Sequence, residues 1–276
     1  MSPKPTAATP TLTLFRGFPQ HDRYTPSPFI NKLETRLRIG GIAYQVGVGS
    51  PFTAPRGKMP YIELQDADNV NSSTSPTPPT KLGDTALITR KLVEDGHLED
   101  LNARLTPTQR AADLAVRALL EDKLYFFQGR ERWVDNYHTM RDTVLASIPY
   151  PLRLVIGLLA YRKHARTLDG QGVLRFSKEE AAAMRLEIWE SVNAMLVESR
   201  AHAANNKAGN TSGPFWVLGG ESPTEADPVV FGFVAAALDC RMAPETEKIV
   251  RGFPVVVEYA KRIHDRYFSD FKCWRD

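Results

Sequence analysis

Two short stretches carry residue types from which a peptide-binding site can be built. They are Gly57-Lys-Met-Pro-Tyr-Ile-Glu-Leu64 and, further on, Lys81-Leu-Gly-Asp-Thr-Ala-Leu-Ile-Thr-Arg90. Pro60 has no N–H to give and would break an interior strand, so it marks a strand entrance. At that position it can take the cis form, which folded proteins keep mainly where it serves the structure. Met59 would then offer its N–H and C=O to an extended ligand, which would join as an added strand. The plainer reading of the same dipeptide is an ordinary edge-strand start. Asp84-Thr85 opens an amphipathic run. It reads either as a simple cap and first-turn residue or as a pair of ligand contacts at a helix start, where anions are favoured.

Composition sets the frame for these residues. The chain has 276 residues, 42% hydrophobic and 24% charged, close to an ordinary globular average and long enough for one large or two ordinary domains. Its 35 basic and 32 acidic residues give a formal charge of +3 and are interspersed, which argues against a nucleic-acid surface. Cys240 and Cys273 have no metal-site spacing, so no metal is expected, and two thiols in a chain of this length suit a reducing, cytoplasmic compartment. The first ten residues lack the apolar stretch of a secretory signal. The most apolar run, Leu152 to Ala160, is too short for the roughly 20 residues a bilayer span needs, so no integral membrane segment is expected. It reads as a buried helix with a basic C-terminal end at Tyr161-Arg-Lys-His164, or, as the weaker alternative, a membrane-surface helix.

The elements that must position Met59 and Asp84 follow from local signals. Leu12 to Phe18 reads as a buried strand ended by Pro19. Ser27-Pro28 opens a helix that Gly40-Gly41 closes. Ala43 to Val48 and Tyr61 to Leu64 read as further strands, and Lys81-Leu82 as the end of a short fourth. A helix is predicted from Thr85 to Glu94. Asp66 to Thr80 is too rich in Ser, Thr, Pro and Asn to pack and reads as an extended insertion. After about residue 100 the pattern is helical. Thr106-Pro107, the capping box Ser177-Lys-Glu-Glu180, and Thr224-Glu-Ala-Asp227 mark helix starts, with the capping residue of the last left open between Thr224 and Asp227. Phe253 to Phe268 reads as the last helix, and Phe215 to Leu218 is the one strand candidate in this half. A small α/β domain is therefore followed by a larger all-α one, with a boundary near Gly96 to Leu105.

This layout resembles the glutathione transferase superfamily. Ser27-Pro-Phe-Ile-Asn-Lys-Leu-Glu-Thr-Arg-Leu-Arg38, Gly57-Lys-Met-Pro-Tyr-Ile-Glu63, Trp133-Val-Asp-Asn136, Arg175-Phe-Ser-Lys-Glu-Glu180 and Thr224-Glu-Ala-Asp-Pro-Val-Val-Phe-Gly232 look like its metaxin-like branch, specifically the failed axon connections family. The polar, Pro/Ala/Thr-rich residues 1–10 read as a flexible N-terminus, and the resemblance implies a thioredoxin-like, glutathione-binding domain over 11–97 and an all-helical C-terminal domain over 105–276. It also implies a homodimer, by analogy with the superfamily, and a role in detoxification.

Glutathione offers a γ-glutamyl ammonium and carboxylate, a cysteinyl main chain, a thiol and a glycyl carboxylate. Asp84 suits the ammonium. Thr85 and the amides beginning its helix suit the γ-glutamyl carboxylate, Met59 the cysteinyl main chain, and Lys58 or Arg56 the glycyl carboxylate. A thiol with pKa near 8.5 is only a few per cent thiolate at pH 7, so catalysis needs a donor to the sulfur. The resemblance places Ser27 at the catalytic Ser or Cys that precedes Pro-Phe in some classes; Ser27 is equally a good helix cap. Tyr24 and Thr25 are rivals, because the path of the Gln20 to Pro26 loop does not follow from sequence. With no cysteine nearby, mixed-disulfide chemistry is disfavoured. A hydrophobic electrophile would lie between the domains against Tyr125, Phe126, Trp133 and Tyr137, residues that equally suit a plain core. The expected activity is conjugation or deconjugation of the glutathione thiolate with that electrophile. The competing readings are a non-catalytic ligand or interaction module of the same fold and a metaxin-like component at an organelle surface.

Overall fold

The computed structural model describes residues 11–65, 78–146, 148–206 and 213–274. The expected flexible segment at 1–10 lies outside them, as does most of the 66–80 insertion. Strands β1 (Thr11–Phe15), β2 (Gln45–Gly47), β3 (Tyr61–Gln65) and β4 (Thr80–Gly83) form one sheet in the order β2-β1-β3-β4. β1 and β2 are parallel and joined through helix α1 (Pro28–Ile39); β3 runs antiparallel to both β1 and β4. Leu12 and Leu14, two apart on β1, share one face. With Leu33 and Leu37 of α1, Ile62 of β3, and Ile88 and Leu92 of helix α2 (Thr85–Glu94), they make the core of this half. β1 stops at Phe15, three residues earlier than its apolar run suggests. Gly17 turns the chain with φ +75°, and the Arg16 side chain is pulled under the loop that follows.

The second half is helical. α3 (Pro107–Ala118) starts with Thr106 and Gln109 capping each other reciprocally. It runs on through a wide π turn at Leu119–Leu124, α4 (Tyr125–Arg130) and a second π turn at Glu131–Asp135 to α5 (Tyr137–Val144). α6 (Tyr150–Gly170), α7 (Lys178–Asn206), α8 (Ala226–Leu238), α9 (Pro244–Arg251) and α10 (Pro254–Tyr267) complete it. α8 is the axle, with all 13 of its residues buried. Neither of the two residues left open by the sequence is the cap of α8: Glu225 stands there without a side-chain capping bond, while Asp227 Oδ2 accepts from the Thr224 N–H at 2.7 Å and its hydroxyl at 3.2 Å. Asp227 Oδ1 also accepts from the Val217 N–H at 2.8 Å and the Tyr259 hydroxyl at 3.0 Å. That use of the Val217 amide helps explain why the strand expected at Phe215 to Leu218 is an irregular buried segment.

The halves meet along α1 and α8. A Cβ at Gly232 would stand 2.6 Å from the Pro28 carbonyl oxygen and 2.7 Å from the Lys32 amide nitrogen, so only glycine allows this approach. Arg36 donates to Glu225 at 2.8 Å across the seam, and Lys32 pairs with Glu121. One expectation fails here. The Leu152 to Ala160 run is helical but not buried: of α6, only Gly157 and Leu168 are buried. α6 rests on its neighbours through one narrow face, where Gly157 meets Arg141 and His164 stacks on Trp133.

Candidate functional site

The sheet register gathers the predicted ligand contacts. Tyr61 of β3 pairs with Gly83 of β4 and with Phe15 of β1. One step beyond that row stand Pro60, Asp84 and Arg16, so a single end of the sheet carries the entrance to β3 and the exits of β1 and β4. The Met59–Pro60 peptide is cis. Pro60 is buried and Met59 half-buried, its side chain 3.4 Å from the position a Cβ would take on Gly17. Among the described residues nothing hydrogen-bonds to the Met59 main chain.

Asp84 has φ +76°, a conformation that no other described non-glycine residue adopts and that L side chains rarely hold. It caps α2, and both capping bonds, from Ala86 N–H at 3.0 Å and Leu87 N–H at 3.2 Å, go to Oδ1. A carboxylate accepts about four hydrogen bonds, so capping leaves capacity on an exposed group. Thr85 is buried at the first position of α2. Arg56 lies over Gly83, beside Asp84, and lines an open groove of about 630 Å³ with Lys81, Leu87, Arg90 and Lys91. Lys58 is exposed.

The loop from Arg16 to Ser27, whose course the sequence left open, is fixed by buried bonds. The Arg16 guanidinium donates to the carbonyls of Gln20 at 3.1 Å and Arg23 at 2.6 Å and pairs with buried Glu34 at 3.3 Å. Burial pushes the Glu34 carboxyl up to about 7 against the pull of Arg16. Asn31 Oδ1 accepts from the Thr25 amide at 3.0 Å, while its Nδ2 donates to the Thr25 carbonyl at 2.9 Å. This loop removes two of the three candidate hydroxyls. Tyr24 is 3% exposed, bonded to His264 Nδ1 at 2.8 Å and ringed by Phe231, Phe268, Phe271 and Trp274. Burial drives its pKa far above the usual value. The Thr25 hydroxyl is buried against Asn31 and the Ser27 carbonyl. Ser27 remains, half-buried at the N-terminus of α1. It holds the capping position expected of it, but its side chain makes no capping bond.

The four aromatics do not form one wall. Tyr125 meets Phe29 of α1 edge-on with ring centres 4.9 Å apart. Phe126 faces a smaller groove with Phe176 and Met184. Trp133 is buried, stacked on His164 at 4.0 Å, and Tyr137 packs edge-on against Tyr161. Trp133 and Tyr137 therefore belong to the helical interior around α6, which corrects their assignment to the space between the domains.

A residue that sequence reasoning missed lies between them. Arg132, in the second π turn, is 6% exposed and donates through Nη1 to the Pro26 carbonyl at 2.8 Å, immediately before Ser27. Its Nε and Nη2 are buried and find no acceptor among the described residues. Arg132 is close enough to pull the Tyr125 pKa down, while burial raises it by more. The sequence signal was adjacency to Trp133-Val-Asp-Asn136. The π turn that re-aims Arg132 has no signature in one sequence.

Residues 28–140 match the family described as the glutathione S-transferase N-terminal domain. Among solved structures the chain is similar to a glutathione transferase family member from Pseudomonas fluorescens pf-5 with two glutathione bound. The two share 13% identity over 96% of this chain and 92% of that one, with a TM-score of 0.54. It is similar also to a glutathione S-transferase from Rhodospirillum rubrum F11, at 13% identity over 94% and 90% with a TM-score of 0.54. Ure2p in complex with glutathione is a third, at 12% identity over 95% and 92% with a TM-score of 0.52. The chain has the glutathione transferase fold: a thioredoxin-like sheet domain followed by a large helical region.

Proposed function

We propose that this chain binds glutathione at the shared end of β1, β3 and β4 and presents its thiolate to a hydrophobic electrophile held against the helical half. The observation that carries the reading is the register: Tyr61 opposite Gly83 brings Met59-Pro60 beside Asp84, while β1 delivers the N-terminus of α1 to the same end. The Met59 main chain pairs with the cysteinyl residue as an added strand. Asp84 takes the γ-glutamyl ammonium, and Thr85 with the first amides of α2 takes its carboxylate. Lys58 or Arg56 meets the glycyl carboxylate.

The sulfur then lies over the start of α1. There the helix dipole and the Ser27 hydroxyl favour the thiolate, and the Arg132 guanidinium adds a positive charge from the helical side. Tyr125 and Phe29 form the apolar part of the electrophile's seat. On motif order we place the chain near the metaxin-like, failed axon connections branch of the superfamily.

Calorimetry on paired Asp84 variants tests the reading. Asp84→Asn keeps an acceptor for the α2 cap and loses the charge. It should leave stability within about 0.5 kcal/mol of wild type and weaken glutathione binding about tenfold. Asp84→Ala should lose both binding and about 1 kcal/mol of stability. Unchanged affinity in Asp84→Asn would return Asp84 to capping alone.

A further inference from the structure

The outer face of α6 is unlike the rest of the surface. Leu152, Val155 and Leu159 are 53%, 57% and 59% exposed, with Tyr150, Leu154 and Leu158 also open to solvent. Positions 155, 159, 162 and 166 fall on one stripe at helical spacing. That stripe reads Val, Leu, Arg, Arg, so the apolar surface runs directly into cations, with Lys163 beside them. Arg162, Lys163 and Arg166 are exposed, and among the described residues none makes an ion pair. α6 has no acidic residue in its first turn, and its one acid, Asp169, lies at the far end. α6 is not long and apolar enough to cross a membrane.

We propose that α6 seats the protein on an anionic lipid bilayer, lying in the interface with Leu152, Val155, Leu158 and Leu159 among the acyl chains and Arg162, Lys163 and Arg166 at the headgroups. Charge selects this occupant. A second copy laid antiparallel on the face would bring these cations against the positive N-terminal end of its own α6, and a parallel copy would oppose cation to cation. α6 rests on its neighbours through one narrow face, with only Gly157 and Leu168 buried, so its outer side projects as a helix and not as a groove. Fluid lipid conforms to a ridge, whereas a folded partner would need a matching groove. The proposal is independent of glutathione, because no α6 residue belongs to that site.

Co-sedimentation of the full chain with vesicles tests it, comparing phosphatidylcholine alone with phosphatidylcholine containing about one third phosphatidylserine. Binding should be at least about tenfold stronger to the anionic vesicles and fall as salt is raised. Val155→Glu with Leu159→Glu, and separately Arg162→Gln with Arg166→Gln, should each reduce it about tenfold or more while glutathione affinity stays unchanged. The second pair leaves the apolar face and the fold alone, so a folding defect in the first does not spoil the test. Equal binding to both vesicles, or none to either, would overturn the proposal. So would a self-association lost with Val155→Glu and Leu159→Glu in place of lipid binding, or capture of an acidic protein alone.

Discussion

The two sides of the candidate site are made of different materials. On the sheet side the proposed contacts belong largely to the main chain: the Met59 peptide group, the amides that begin α2, and a carboxylate whose place is set by the turn at Asp84. On the helical side they are side chains, Tyr125 and Arg132, carried by a helix that two π turns distort. Main-chain recognition reads what every peptide shares and survives wide changes of sequence. Side-chain recognition is where one member of a fold departs from another. The sheet side should therefore govern affinity for glutathione, and the helical side the rate and choice of second substrate.

The strongest way to break this division is to part the two sides. Gly232→Ala puts a methyl group against the Pro28 carbonyl and the Lys32 amide, where nothing flexible can give way. Helix propensity alone favours alanine by about 1 kcal/mol, so the sign is informative. A net loss of about 2 kcal/mol in urea unfolding is expected, with both affinity and turnover reduced. Stabilisation would mean that the α1–α8 approach does not hold the halves together.

Substitutions on one side should separate the two readouts. Arg132→Met removes a buried cation with two nitrogens that find no acceptor among the described residues, which offsets the loss of its bond to the Pro26 carbonyl, so stability should stay within about 1 kcal/mol of wild type. Turnover should fall by about 30-fold, some 2 kcal/mol of barrier, with glutathione affinity nearly intact. A loss of stability with full turnover would make Arg132 a prop for the Pro26 carbonyl instead. Ser27→Ala should cut turnover by about tenfold. Because the Ser27 side chain makes no capping bond, stability should move by less than about 0.5 kcal/mol.

The smallest effect lies in the helical interior, away from the site. Burial, with some help from Lys163, holds the His164 pKa down to about 4 beside Trp133. A depressed folded pKa gives a contribution that is complete above the unfolded value near 6.5 and is lost as pH falls to about 4. His164→Phe should keep the stack and flatten the melting temperature over that window by the equivalent of about 1 kcal/mol. That is less than the whole shift, because part of the ring faces water. An unchanged slope would assign the acid sensitivity elsewhere, with His264, also depressed by burial, the next group to test.

What the sequence revealed depended on how local the signal was. Pro60, Gly40-Gly41, the Asp84 cap, the Ser177 box and the Thr106-Pro107 start act over a few residues, so α1, β3 and the 85–94 helix could be placed closely, and the register then carried Asp84 to Pro60. Tyr24, Trp133 and the Leu152 to Ala160 run were misread because apolar composition does not say which neighbour arrives. The C-terminal segment folds back to bury Tyr24 under Phe271 and Trp274, His164 covers Trp133, and nothing among the described residues covers the outer face of α6. Arg132 was hidden because a π turn shifts side-chain directions without altering the residue pattern.

The central claim is tested most directly by a crystal structure of the chain soaked in glutathione. The cysteinyl N–H and C=O should pair with Met59, the γ-glutamyl ammonium should meet Asp84, and the sulfur should point at the start of α1. Glutathione bound elsewhere, or no density at this end of the sheet under millimolar ligand, would contradict it.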